Sequence, residues 1–287
     1  MPWLALLLAC SQPTTTVDAD ALDHAVRASM AIRGVRPTGE ELQQVILDPG
    51  ALETLVPLWL EDPRFAETVR DQHALHLQLR TSNIGKVPPV GPLAGIDLGA
   101  IATSLDEAPL RLISDIVTTG RPYSEVLTTG DTWANDIVAT VHGLAFDPTG
   151  PRWQRTRWAD GRPAAGVLSD TAFNQRYMSS NTNFHRARAA AALSAFLCRD
   201  LLAAGAAVSA APTLTDPNTA ESAVRSDPNC IGCHNTLDVV ASAFWGMHPY
   251  ILSSDVAAAY RQGCPEGSAC FPLPFWDPTQ VEGWREH

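Results

Sequence analysis

The sequence predicts a mainly α fold with few or no strands: a multi-helix globular body followed by a C-terminal helical subdomain. Three observations predict it. Apolar residues recur at helical spacing, most clearly Leu52, Leu55, Val56, Trp59 and Leu60 at i, i+3, i+4, i+7 and i+8. Start and stop signals separate such stretches, among them the capping-box pattern Thr38-Gly39-Glu40-Glu41 and the breaks Asp48-Pro49-Gly50 and Gly120-Arg121-Pro122. Residues 184–204 form an alanine-rich run with the composition of a helix interior. With 287 residues and 45% hydrophobic content, the chain has enough apolar surface for a core.

Three regions follow in chain order: residues 1–19, a helical N-terminal domain over 20–145, and a second helical domain over 146–287. The opening Met1-Pro2-Trp3-Leu4-Ala5-Leu6-Leu7-Leu8-Ala9-Cys10-Ser11 resembles a bacterial lipobox. That resemblance implies cleavage before Cys10, acylation of Cys10, and export to a membrane-anchored state. Residues 11–18 have the small polar character of a tether. No later stretch approaches the roughly 18 uninterrupted apolar residues of a membrane-spanning helix.

Asp20 to Arg33 reads as the first helix, and the capping box opens a second with Leu42, Val45 and Ile46 as its stripe. The 52–60 helix follows. Asp62-Pro63 restarts a longer one through about Arg80, with Phe65, Val69, His73 and His76 on one face. His73 and His76 either ligate a metal or sit hydrogen-bonded at the core edge. Residues 81–104, rich in Gly and Pro, read as a long loop. The next helix turns Leu110, Ile113, Ile116 and Val117 inward and stops at Gly120, and Thr132 to Val141 reads as another helix. Phe146 to Ser169, with Trp153 and Trp158, is irregular and aromatic, as core or as the wall of a pocket.

The stretch that carries chemistry is Cys230-Ile231-Gly232-Cys233-His234. Two thiols about one helical turn apart match the spacing needed to add to two vinyl groups on one haem edge, and the adjacent imidazole then lies under the iron as proximal ligand. Competing readings fit less well. A thioredoxin-like dithiol follows a β-strand, and Glu221 to Pro228 has no strand character. A structural zinc site needs a second ligand pair, which Cys264 and Cys270 supply at a poor spacing. A plain Cys230–Cys233 disulfide leaves His234 without a role.

The expectation is therefore one covalently attached haem c on Cys230 and Cys233, with His234 on the iron. Met247 is the expected sixth ligand, brought round by Gly246 after a short helix over residues 236–245, with His185 and His248 as alternatives. Covalent haem attachment and the lipobox agree, since both belong outside the cytoplasm, where disulfides also persist. Cys264 and Cys270 are expected to form a disulfide across a short Gly- and Pro-containing loop. Cys198, in the apolar alanine-rich run, is expected to be a buried free thiol. Lys+Arg 20 against Asp+Glu 31 gives a net charge of -11, which disfavours nucleic acid and anionic lipid surfaces and suits a redox partner with a basic docking patch.

With this motif in place, further stretches resemble the planctomycete-type cytochrome c domain family of exported multidomain bacterial proteins. Arg33 to Leu42 followed by Leu58 to Phe65 is similar to its N-terminal domain, and Arg121 to Thr129 to a connecting segment. Arg186-Ala187-Arg188 with Phe196-Leu197-Cys198 resembles the helix before the haem motif. Beyond the motif, Asp238, Phe244 and Gly246 match, while Val239-Val240 replaces a Pro-Gly step. The resemblance implies an exported, mainly helical c-type cytochrome in the periplasm or on the outer membrane, and it supplies no reaction.

Three function classes are thus expected. The first is electron transfer by a lipid-anchored haem protein. The second is a peroxidase-like haem enzyme with an open distal site, for which His142, His185 and Arg186 are the acid–base candidates. The third is a helical surface scaffold or sensor in which haem is secondary. The sequence contains no Gly-x-Ser-x-Gly, His-Glu-x-x-His, phosphate-binding glycine loop or nucleotide fingerprint.

Overall fold

The computed structural model describes residues 19–80, 87–179, 185–201, 217–247 and 275–280, and these contain ten α-helices, short 3-10 turns and one two-stranded sheet. The fold is mainly α, as the sequence predicts. Among the described residues no helix is long and apolar enough to cross a membrane. Two compact units divide the chain, one ending at Thr68 and the other beginning at Val69. Position 145/146, the domain boundary expected from sequence, lies within the second unit.

The first unit holds α1 (Ala19–Arg33), α2 (Gly39–Leu47), α3 (Leu52–Glu61) and the start of α4 (Pro63–His76). Its core is Ala25, Val45, Leu55 and Trp59. The capping box forms: the Glu41 amide donates to the Thr38 hydroxyl at 3.2 Å, and the Thr38 amide to the Glu41 carboxylate at 2.7 Å. Glu41 does more than cap. Arg33, buried at the end of α1, donates to both of its oxygens at 2.8 and 3.0 Å and lies 4.6 Å over the Trp59 ring, whose indole N–H donates to the same carboxylate at 2.7 Å. These bonds, Arg33 first, outweigh burial and hold Glu41 down to about 2. The apolar stripe of α3 closes at Trp59, and Leu60 is exposed.

The second unit is organised on α5 (Leu98–Thr118), which buries Ile101, Leu105, Leu110, Leu112, Ile113 and Ile116. This helix starts well inside the stretch expected to be loop. Asp97 caps it by accepting from the Ala100 amide at 3.0 Å, and the burial of Ile101 and Leu105 compensates for Gly99 in the first turn. Conversely, α4 ends at His76, because Gln78 and Arg80 take left-handed backbone conformations.

The expected helix over 132–141 is in fact a strand followed by a shorter helix. β1 (Asp131–Ala134) pairs antiparallel with β2 (Gln154–Arg157), Asp131 opposite Arg157 and Ala134 opposite Gln154. Asp131 also draws in Arg157 at 2.9 Å and Arg155 at 3.5 Å. Asn135 then caps α6 (Asp136–His142) by accepting from the Val138 amide. Trp153 and Trp158 flank β2 and pack on a core of Val87, Leu93, Ile101, Leu105, Val138 and Phe275. Gly166 sits at φ +53° with the place of a Cβ taken by the Val126 carbonyl, so no side chain fits there.

A separate cluster positions the cysteine-bearing helix. Phe173 of α7 (Thr171–Arg176), Ala192 of α8 (Arg186–Leu197) and Phe244, just beyond α10 (Pro228–Ser242), pack together with Tyr177 and Val240. The alanine-rich helix is shorter than the 184–204 run suggests and ends where Cys198 turns left-handed. Before α10, α9 (Pro217–Ser226) packs against it.

Candidate haem-attachment site

Cys230, Cys233 and His234 all lie on α10, which begins two residues before the first thiol. Pro228 suits a first helical turn, where it has no N–H to lose, and the Asp227 carbonyl accepts from the amides of Cys230 at 3.0 Å and Ile231 at 2.9 Å. Positions three and four apart share a face of a helix. The two thiols, both free and half-buried, therefore stand one turn apart with His234 beside them.

The next turn of α10 supplies Asp238. His234 Nδ1 lies 3.1 and 3.2 Å from its two carboxylate oxygens. A carboxylate accepts, so Nδ1 donates, and in the neutral imidazole the lone pair then lies on Nε2. From α8, Arg186 donates to the same carboxylate through Nε at 2.6 Å and Nη2 at 3.0 Å, a fork that ties α8 to α10. Burial raises the Asp238 carboxyl, but the Arg186 hydrogen bonds and charge, with His234, outweigh it and leave it below its ordinary value. Val239-Val240, with no proline or glycine to break the helix, lets α10 run on to Ser242 before the chain turns. The helix expected over 236–245 thus includes the cysteine motif and stops sooner. Val240 packs on the Phe173 cluster and Val239 is exposed.

Two candidate sixth ligands meet at one arginine. Arg188, fully buried, donates to His185 Nδ1 at 2.9 Å, to the Met247 carbonyl at 3.3 Å, to the Tyr177 carbonyl at 3.1 Å and to the Asn174 carbonyl at 3.1 Å. His185 rests edge-on against Trp245, and desolvation, reinforced by the Arg188 charge, lowers its imidazole to about 3, so it is neutral. Met247 is buried and bridges to Trp276, whose ring covers Gly246 where a Cβ would stand.

Among the described residues, His73, His76 and His142 make their contacts away from the motif. His73 donates through Nδ1 to the Val69 carbonyl at 2.7 Å and meets the Tyr123 hydroxyl at 2.9 Å, while His76 donates to the Ala195 carbonyl at 2.8 Å. His142 is buried between Trp158 and Phe275, and among the described residues its Nδ1 has no hydrogen-bond partner. Cys198 is a free thiol, as expected, but exposed rather than buried, because it caps the end of α8. Cys10, His248, Cys264 and Cys270 lie outside the described residues.

The role of Asp238 went unassigned in the sequence, although its i+4 spacing from His234 signals the contact. Arg186 reaches Asp238 from 52 residues away and Arg188 reaches the Met247 carbonyl from 59, and no local pattern announces either contact. In comparisons with protein-family models, curated proteins and solved structures, nothing matches the chain.

Proposed function

We propose that the chain is an exported, lipid-anchored c-type cytochrome-like protein that carries one haem c on Cys230 and Cys233, ligates its iron through His234, and transfers electrons. The observation that carries this reading is the orientation of His234. A metal-ligating imidazole characteristically donates its other N–H to a carboxylate or carbonyl, and the Asp238 contact at 3.1 Å leaves Nε2 for the iron.

The donor set fits the group. Each thiol adds across a vinyl double bond: the S–H and π bonds break, S–C and C–H bonds form, and nothing is oxidised. Cys230 and Cys233 are free and share one helical face, as this addition requires. When bound, the haem supplies a one-electron Fe(III)/Fe(II) couple, filled from a reduced partner and emptied to an oxidised one. The chain holds the proximal imidazole by its Nδ1 proton and packs Trp276 over Gly246, beyond the end of α10. Met247 is the proposed sixth ligand, with His185 and His248 as alternatives. The net charge of -11 favours a partner with a basic docking patch. Acylated Cys10 would anchor the protein on the periplasmic side of a membrane or on the outer membrane, and the resemblance to planctomycete-type cytochrome c domains supports the same assignment.

Expression of the full-length chain with a c-type haem maturation system tests the reading. The reduced protein should show a c-type spectrum and partition with membranes. Haem-linked peroxidase staining should vanish in Cys230→Ser/Cys233→Ser, and membrane association in Cys10→Ser. A wild-type protein without bound haem would overturn the proposal.

A further inference from the structure

We infer that Asp238 and Arg186 act as an opposed pair on the donor strength of His234, Asp238 lowering the midpoint potential of the iron couple and Arg186 raising it. This rests on the haem reading above and deepens it, since both residues are positioning groups that act through the imidazole. A carboxylate accepting the Nδ1 proton draws it away from the ring and raises the basicity of Nε2. More donation, with a negative charge close by, stabilises Fe(III) over Fe(II).

The Asp238 oxygens are nearly equidistant from Nδ1, at 3.1 and 3.2 Å, and both also accept from Arg186, at 2.6 and 3.0 Å. The guanidinium competes for the lone pairs that the imidazole proton uses and cancels the carboxylate charge, so removing it frees Asp238 to act on the ring. The geometry is built into the fold. His234 and Asp238 are locked at i and i+4 on one helix, while Arg186 comes from α8, which packs on α10. The side chains of Arg186, His234 and Asp238 are 25%, 23% and 37% exposed, so solvent damps their interaction without screening it out.

A salt bridge that merely fastened α8 to α10 would predict similar consequences for losing either partner. The tuning pair predicts opposite ones. Redox titrations of the haem-bearing full-length chain should place the midpoint of Asp238→Asn above wild type, with about a tenfold rise in the Fe(II)/Fe(III) ratio at the wild-type midpoint, or about 59 mV for one electron. Arg186→Gln should lie below wild type by a few-fold in the same ratio, and the double variant near wild type. Should Asp238→Asn fail to hold haem, Arg186→Gln decides alone: a lowered midpoint supports the inference. Midpoints that move in the same direction, or Arg186→Gln unchanged or raised, overturn it while leaving the haem reading intact. A wild-type chain without haem overturns that reading and this inference with it.

Discussion

Among the described residues, two arginine–carboxylate forks have a ring that donates to the same carboxylate, and they are put to different ends. In the first unit, buried Arg33 grips Glu41, and the third partner is the Trp59 indole, a donor with no further capacity. In the second unit, half-exposed Arg186 grips Asp238, and the third partner is the His234 imidazole, whose other nitrogen has no hydrogen bond among the described residues. The first device is closed: every strong group is consumed, and what results is a fixed packing of α1, α2 and α3. The second is open at one atom. A side chain's capacity after its internal bonds are counted, rather than the presence of an ion pair, separates a structural cluster from a candidate ligand-bearing one.

Stability measurements should separate the two forks, beginning with the largest effect. Arg33→Ala strands Glu41 against Trp59 and should cost about 3 kcal/mol in chemical denaturation. Trp59→Phe keeps a ring under Arg33 but removes the 2.7 Å bond to Glu41, and should cost about 1.5 kcal/mol by the same method. Arg186→Ala, by contrast, deletes a partly solvated fork and should cost at most about 1 kcal/mol. If Arg186→Ala proved the most destabilising of the three, the second fork would be a structural fastening like the first.

Acid titration gives a smaller, signed effect. Glu41 is held at about 2 against an ordinary 4.5, so the folded state binds its proton less readily than the unfolded chain. Its contribution is therefore complete above about pH 4.5 and is lost as pH falls towards 2. Glu41→Gln should flatten that part of the acid limb in the first unit. The flattening will be incomplete, because Asp62, lowered to about 2 chiefly by Arg64, contributes over a similar range.

Helices set by local signals were legible in the sequence. The Thr38–Glu41 box and the stripe read over 52–60 depend on residues a few positions apart; the box forms as read, and the stripe forms from Leu52 to Trp59 with Leu60 left exposed. Elements that depend on distant partners were not. β1 has only four residues and exists because β2 pairs with it and Arg157 reaches Asp131. The start of α5 hides behind Gly99 and is secured by burial of Ile101 and Leu105, a tertiary effect that outweighs local propensity. Cys198 looked buried because its neighbours are small and apolar, yet the helix ends there and the thiol faces solvent. At the candidate site, the Cys230-x-x-Cys233-His234 spacing was legible in full and the His234–Asp238 contact nearly so. Arg186 and Arg188 stood out in the sequence, but their contacts with Asp238 and the Met247 carbonyl, 52 and 59 residues away, did not.

Covalent haem on Cys230 and Cys233, with its iron held by His234, is the proposal on which the rest depends. Mass spectrometry of the full-length chain, matured in a host that attaches c-type haem and digested with trypsin, tests it most directly. The account predicts that the peptide bearing Cys230 and Cys233 gains the mass of one haem, with both thiols consumed. The same peptide recovered with free thiols, with a disulfide, or with zinc in place of haem would contradict it.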